Sequence, residues 1–253
     1  MKEKKGQITI FIILALAIAI VLLLIFMRGD QFNVVTSPKA PVDLVRDCME
    51  FEINKSVSLV MKQGGSIDPE LFILYEDERI EYLCYSEEDY DFCVMQKPLL
   101  KQSIEKELKR DLEPKINDCM KLQKESLEKK GYDVFYKTPD IIVDLIPNNV
   151  IVNVDSDLKI SKGEKTNNYK VLKVTKTSKF YELVMITSSI LNYEARYGKS
   201  EIMTYMMYYP DIKVEKKKQS DGTNIYILTD KVNEDKFVFA VRSFSLPAGI
   251  TGN

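Results

Sequence analysis

Residues 141–154 read IIVDLIPNNVIVNV, and this stretch decides the fold of the larger part of the chain. Two runs rich in β-branched side chains flank a Pro-Asn-Asn sequence at 147–149, and those residue types favour turns. The stretch therefore predicts an antiparallel hairpin. The alternation of apolar and polar residues continues from Leu158 to Val174 around a polar turn at 162–168, so we expect further hairpins in succession.

Helical patterns lie on both sides of these hairpins. Apolar residues at three- and four-residue intervals predict a helix over 42–63 and a second over 99–130, kinked by Pro114. A long helix is predicted over 179–209, with a break near Gly198. Further strands are predicted at 72–75, 80–85, 134–136, 212–215, 225–228 and 237–241. Long helices grouped around an antiparallel sheet define an α+β domain.

An apolar segment precedes this domain. Residues 7–27 carry no charged side chain, and a helix of that length reaches about 31 Å, close to the roughly 30 Å hydrocarbon core of a bilayer. Lys2, Lys4 and Lys5 before the segment outnumber Arg28 after it, which favours a cytoplasmic N-terminus. The sequence thus predicts a single-pass protein of the cell membrane, with one transmembrane helix and an extracellular C-terminal domain.

These patterns divide the chain into consecutive parts. Prolines at positions 38 and 41 cannot lie inside a helix without losing a hydrogen bond, so a linker is expected between the apolar segment and the first helix of the ectodomain. The predicted parts are a cytoplasmic basic stub (1–6), a transmembrane helix (7–27), a linker (28–41), a helical disulfide-stapled region (42–131), and an antiparallel sheet with a long helix (132–253) that is continuous with the preceding region.

Four cysteines follow the apolar segment, and an even number in an oxidising compartment indicates disulfides. Four cysteines allow three connectivities. Cys84 and Cys93 bracket a short loop, whereas Cys48 and Cys119 each belong to a long helical pattern, so we expect the pairs Cys48–Cys119 and Cys84–Cys93. A zinc site of four thiolates is the alternative, but the chain lacks the close Cys-x-x-Cys pairs that such sites use.

The composition excludes several classes of enzyme. The chain has no histidine, which removes Ser-His-Asp and Cys-His hydrolysis and His-ligated zinc chemistry. Nucleotide enzymes are not expected, because neither a phosphate-binding loop nor a dinucleotide-binding glycine motif is present. Two Ser-x-x-Lys sequences, at Ser103 and Ser126, fall in lysine-rich helical patterns where they arise by chance. The formal net charge of −2 does not favour nucleic acid as a partner.

An acidic loop is a candidate calcium site. Glu87, Glu88, Asp89 and Asp91 lie close together in the sequence, and acidic residues at 76–78 could face them across the 72–85 hairpin. Carboxylate oxygens are the ligands that Ca²⁺ prefers. The alternative is a solvated surface loop without a metal.

A string of methionines and tyrosines is the candidate partner-binding site. Residues 203–209 read MTYMMYY, and soft methionine and amphipathic tyrosine side chains recur at adaptable interfaces. The alternative is that this helix end packs on its own sheet. The residues proposed for partner binding are Met203, Tyr205, Met206, Tyr208 and Tyr209.

Lysines follow this string. Lys213 and the lysines at 216–218 flank the next predicted strand, where they protect an exposed edge from aggregation or, as the weaker alternative, bind an acidic cell-wall polymer.

The N-terminus carries a resemblance to a known class of signal. The string KKGQITIF at 4–11 resembles the class III, type IV prepilin-like signal of archaeal surface proteins, which implies cleavage by a prepilin peptidase between Gly6 and Gln7. Cys48, the sequence QGG at 63–65 and Cys119 resemble a group of archaeal single-pass surface proteins. The resemblance implies a cell-surface location and a disulfide, and it implies no activity.

The sequence as a whole therefore predicts a non-enzymatic, membrane-anchored cell-surface protein whose extracytoplasmic domain binds a partner or an envelope component. One alternative is a subunit of a pilus-like filament or a pseudopilin. The second alternative is an envelope enzyme that does not use histidine. The expected partners are the lipid bilayer, the prepilin peptidase and a surface or envelope protein, and no cofactor is expected.

Overall fold

The computed structural model describes residues 12–21 and 40–244. The chain divides into two compact units, residues 1–39 and residues 40–253. The first contributes a helix over residues 12–21 (α1), whose apolar side chains are exposed. The second unit holds the remaining helices and all the strands that the structure describes.

Within the described ranges, no helix combines the length and the apolar character that crossing a bilayer requires. The predicted transmembrane helix over 7–27 and the single-pass membrane location inferred from it are therefore wrong. The described part of helix α1 covers residues 12–21. Residues 7–11 and 22–27 of the predicted segment lie outside the described residues, as does the processing site expected at Gly6 and Gln7.

Four helices belong to the second unit. They are α2 (Pro41–Lys62), α3 (Leu100–Glu128), α4 (Phe180–Tyr197) and α5 (Ile202–Tyr208). The apolar stripe expected on the first predicted helix is the buried face of α2, and α3 buries its own stripe in the same core. Pro114 lies inside α3, as the sequence indicated. Gly198 ends α4, so the long helix predicted over 179–209 is two helices.

The described part of the chain contains ten strands in two sheets. They are β1 (Phe72–Tyr75), β2 (Glu78–Tyr85), β3 (Val94–Met95), β4 (Asp133–Phe135), β5 (Asp140–Ile146), β6 (Asn149–Lys162), β7 (Lys165–Thr177), β8 (Ile212–Lys218), β9 (Asn224–Asp230) and β10 (Lys236–Arg242).

The first sheet has the order β1-β2-β10-β9-β8, and β3 pairs with β2. Strand β10 runs parallel to β2, with Ala240 opposite Tyr82, while the remaining pairs in this sheet are antiparallel. The sheet is therefore mixed, whereas the sequence predicted antiparallel pairing alone. Periodicity reports which face of a strand is buried but not which strand lies beside it, so it could not reveal a pairing across about 150 residues of chain.

The second sheet contains the hairpin predicted at 141–154. Strands β5 and β6 are antiparallel, with Ile141 opposite Val154 and Ile146 opposite Asn149. Strand β7 pairs with β6 along most of its length, and β4 pairs with the far end of β6. The turn between β6 and β7 contains two residues, Gly163 and Glu164, so the turn expected over 162–168 was too wide.

The fold is thus α+β, with five helices in the described residues, one mixed sheet and one antiparallel sheet. Helices α2, α3 and α4 and the inner faces of both sheets share one continuous apolar core. Two disulfides join the pairs expected from the sequence. Cys48 on α2 is bonded to Cys119 on α3, with 5.8 Å between their Cα atoms, and Cys84 on β2 is bonded to Cys93, with a separation of 5.3 Å.

The two disulfides should differ in what they contribute to stability. The Cys48–Cys119 bond closes a loop of 71 residues and the Cys84–Cys93 bond a loop of nine. Since a longer closed loop restricts the unfolded chain more, we expect Cys48→Ser/Cys119→Ser to lower the free energy of unfolding by about 4 kcal/mol and Cys84→Ser/Cys93→Ser by about 3 kcal/mol. Urea unfolding of the full chain measures both losses. A loss below about 1 kcal/mol for the first variant contradicts this assignment.

Candidate binding groove and the buried carboxylate behind it

The junction between α4 and α5 shapes the candidate site. Gly198 has φ +70°, a conformation that L side chains rarely adopt, and a Cβ placed on it would lie 2.6 Å from the Cβ of Phe244. Only glycine fits both conditions. The chain then reaches Glu201, whose side chain accepts a hydrogen bond from the backbone N–H of Met203 and caps the start of α5.

Five tyrosines from the two helices line one concave surface, which we call the tyrosine groove. It encloses about 640 Å³. Helix α4 contributes Tyr193 and Tyr197, and α5 with its C-cap contributes Tyr205, Tyr208 and Tyr209. The remaining lining residues are three hydroxyl side chains and two charged ones: Ser189, Ser200, Thr204, Lys199 and Glu201.

Four of these rings are open to solvent. Tyr208 is 78% exposed and Tyr197 is 58% exposed, and Tyr193 and Tyr209 are each about half exposed. Tyr205 is buried, and its hydroxyl lies 3.0 Å from Ser189 Oγ at the base of the groove. The groove therefore combines four exposed tyrosine rings with a buried fifth, Tyr205, which a hydrogen bond holds in place.

The sequence had identified part of this site. Tyr205, Tyr208 and Tyr209 line the groove, whereas Met203 is exposed outside the lining and Met206 packs against the core. Sequence reasoning missed Tyr193 and Tyr197. Their spacing of four residues places them one turn apart on the same helix face, with ring centroids 5.8 Å apart, and this spacing was the available signal.

A buried carboxylate stands behind the groove. Glu194 on α4 is fully buried, and its Oε1 accepts hydrogen bonds from the backbone N–H of Ser200 at 2.9 Å and from Lys216 Nζ at 2.9 Å. The Tyr226 hydroxyl donates to the same oxygen. The Glu194 backbone carbonyl accepts from Ser243 Oγ at 2.8 Å. Glu194 thus ties the loop after α4 to strands β8, β9 and the end of β10.

The environment of Tyr226 reflects this burial. Burial raises the pKa of the Tyr226 hydroxyl well above its ordinary value, and the neighbouring Glu194 carboxylate raises this pKa further. Lys216 Nζ also lies 5.1 Å from the centre of the Tyr226 ring. The ammonium group of Lys216 therefore contacts both the Glu194 carboxylate and the face of the Tyr226 ring. These two contacts hold the Lys216 side chain inward from strand β8.

The lysines predicted to protect a strand edge are divided between two roles. Strand β8 lies at the end of the mixed sheet, as an edge strand does. Lys213 and Lys217 form ion pairs with Glu215 on the same strand, while Lys216 is directed to Glu194. Lys218 is exposed at the end of β8.

The calcium site expected at the acidic loop stays a prediction, and the structure does not bring its carboxylates together as a set of metal ligands. Among the described residues there is no group of three or more His, Cys, Asp or Glu side chains arranged to hold a metal ion, so Glu87, Glu88, Asp89 and Asp91 are not gathered into one. Arg242 holds this loop instead. Its guanidinium donates to Asp89 Oδ1 at 2.8 Å and to the backbone carbonyls of residues 86 and 87.

Comparison of this chain with family models, with curated proteins and with solved structures gives no match. The resemblance of the N-terminus to a prepilin-like signal and to archaeal surface proteins stays a prediction. Function must therefore be argued from the geometry of the groove.

The raised pKa of Tyr226 predicts a specific response to alkaline pH. In the unfolded chain this hydroxyl loses its proton above about pH 10, while in the folded protein it keeps it. Its contribution to stability is therefore complete below pH 10 and declines as the pH rises beyond it. Compared with wild type, Tyr226→Phe should show a free energy of unfolding that falls less steeply above pH 10, by about 1.4 kcal/mol per pH unit.

Urea unfolding at intervals between pH 8 and pH 11.5 measures this difference. Loss of the hydrogen bond to Glu194 lowers the free energy of unfolding of the variant by the same amount at every pH. The difference between the two proteins below pH 10 measures this constant loss and serves as the internal control. Identical slopes for the two proteins above pH 10 would contradict the assignment.

Proposed function

We propose that this chain is a non-catalytic binding protein of an oxidising compartment, and that it binds a surface or envelope component in the tyrosine groove. The observation that carries the proposal is the exposure of four tyrosine rings around one concave surface. Tyr193, Tyr197, Tyr208 and Tyr209 come from α4 and from α5 with its C-cap, which are joined by a short loop that begins at Gly198.

The exposure of these rings is not explained by the stability of the fold. The domain has a continuous apolar core to which the four exposed rings do not belong. Tyrosine is enriched at the centres of interfaces because its ring supplies contact area, its hydroxyl supplies a hydrogen bond, and it loses little conformational freedom on binding. A group of such rings at a concave surface supports binding as its role.

The groove is also preorganised. Tyr205 at its base is held by the hydrogen bond to Ser189, and the loop at its rim is held by the hydrogen bond from Ser200 N to Glu194. A ligand that enters it does not have to order these elements, so less binding free energy is lost to conformational entropy.

The disulfides support the proposal that the protein belongs to an oxidising compartment. All four cysteines are paired, and structural disulfides persist where thiols are not kept reduced, as outside the cytoplasm. The absence of histidine from the sequence supports binding over catalysis. In the groove itself, the carboxylate of Glu201 is engaged in capping α5.

An array that displays oligosaccharides and extended peptides tests this proposal. We expect the full chain to be retained by a defined subset of the array. Tyr197→Ala/Tyr208→Ala should reduce that binding at least tenfold, because it removes two exposed rings from the groove while leaving the core intact.

Phe51→Ala is the matched control for this variant. Phe51 is 66% exposed on α2 and does not line the groove, so its removal should leave binding unchanged. The proposal is overturned if no ligand on the array is retained by the wild-type chain, or if the double tyrosine variant binds the same subset with the same affinity.

A further inference from the structure

A second cavity adjoins the tyrosine groove at Lys199. It encloses about 340 Å³, and among the described residues its charged lining consists of lysines alone: Lys199, Lys216 and Lys218. Lys199 lines both this lysine cavity and the tyrosine groove. An aromatic surface and a basic surface are thus continuous.

Two of the three lysines have a positive charge that is not paired with a carboxylate of the described residues. Lys216 is paired with Glu194, but Lys199 and Lys218 are exposed and form no hydrogen bond or ion pair with any residue that the structure describes. Among the described residues that line the tyrosine groove, the carboxylate is that of Glu201, which caps α5. The junction of the two cavities therefore favours a ligand that brings negative charge.

We infer that the ligand is an acidic glycan, with sugar rings packed on the tyrosines and a carboxylate directed to Lys199 and Lys218. This inference rests on the proposed function and names the class of ligand. A pyranose ring has a face of C–H groups that packs against an aromatic ring, and its hydroxyls form hydrogen bonds at its edge.

The lining offers partners for those hydroxyls. Ser189, Thr204 and Ser200 lie between the rings, together with the tyrosine hydroxyls. Ser200 is 7% exposed, and its Oγ has no hydrogen-bond partner among the described residues. A buried hydroxyl without a partner costs free energy, and a small movement of its rotamer would let a bound sugar hydroxyl satisfy it.

The same geometry does not favour an acidic peptide. Extended peptides commonly bind by adding a strand to a free sheet edge, but the tyrosine groove is built from two helices and a loop, and the edge strand β8 lines only the lysine cavity, through Lys216 and Lys218. Helical peptides need an apolar groove with aliphatic anchor sites, whereas this lining consists of tyrosines, hydroxyls and charged groups.

Isothermal titration of the full chain with three probes tests the inference. The probes are a hexamer of galacturonate, the same hexamer with its carboxylates methyl-esterified, and a hexaglutamate peptide. We expect the galacturonate hexamer to bind, the methyl ester to bind at least tenfold more weakly, and the peptide not to bind. Raising the salt concentration should weaken binding of the acid hexamer but not of the ester.

Substitutions separate the two surfaces. Lys199→Gln/Lys218→Gln should lower the affinity for the acid hexamer at least tenfold and leave the affinity for the ester unchanged, so that the two hexamers become equivalent. Tyr197→Ala/Tyr208→Ala should weaken both hexamers. Lys165→Gln/Lys173→Gln removes the same charge from exposed positions on β7 and should bind both hexamers as the wild type does.

Each contrary outcome is informative. The inference that the glycan is acidic is overturned if the wild type binds the acid and the ester hexamers equally. It is also overturned if the lysine variant binds as the wild type does. Both outcomes leave a groove that binds a glycan. If the hexaglutamate is the one probe that binds, the inference that the ligand is a glycan is overturned. Binding of none of the three probes overturns the inference, and the array experiment then decides separately whether the groove binds anything.

Discussion

The buried carboxylate of Glu194 is the interaction on which the candidate site depends. One oxygen receives hydrogen bonds from the Ser200 backbone, from Lys216 and from Tyr226, so a helix, a loop and two strands meet at a single point. A charge without solvent is stable only when such partners surround it, and removing any one of them leaves a desolvated group behind. The geometry of this part of the domain is therefore strongly specified.

That constraint explains why exposed tyrosines can form a defined surface. The rings of Tyr193 and Tyr197 take their positions from α4, and those of Tyr208 and Tyr209 from the end of α5. The loop between the helices begins at Gly198, in a conformation that favours glycine, and is held by Glu194 through the Ser200 backbone. Because Lys216 is directed to the same carboxylate, the lysine cavity is positioned by the network that positions the groove.

Local patterns predicted much of this fold but less of the site. The hairpin at 141–154, the apolar stripe of α2 and the break at Gly198 follow from periodicity and turn chemistry, which act over a few residues. The parallel pairing of β10 with β2 and the meeting of the α4 tyrosines with those of α5 depend on tertiary contacts that no local pattern records. Hydropathy predicted a transmembrane helix, but no helix of the described residues is long and apolar enough to span a bilayer. The contact of Arg242 with Asp89 in the acidic loop is likewise a tertiary contact that the local sequence does not record.

We propose the tyrosine groove as the surface at which this protein binds its ligand. Nuclear magnetic resonance of the full chain with labelled tyrosine rings, titrated with the galacturonate hexamer, tests it most directly, since each of the 14 tyrosines reports its own surroundings. We expect saturable shifts of the ring signals of Tyr193, Tyr197, Tyr208 and Tyr209. Shifts confined to Tyr132, which precedes β4, and Tyr169, on β7, or no shifts at all, would contradict this proposal.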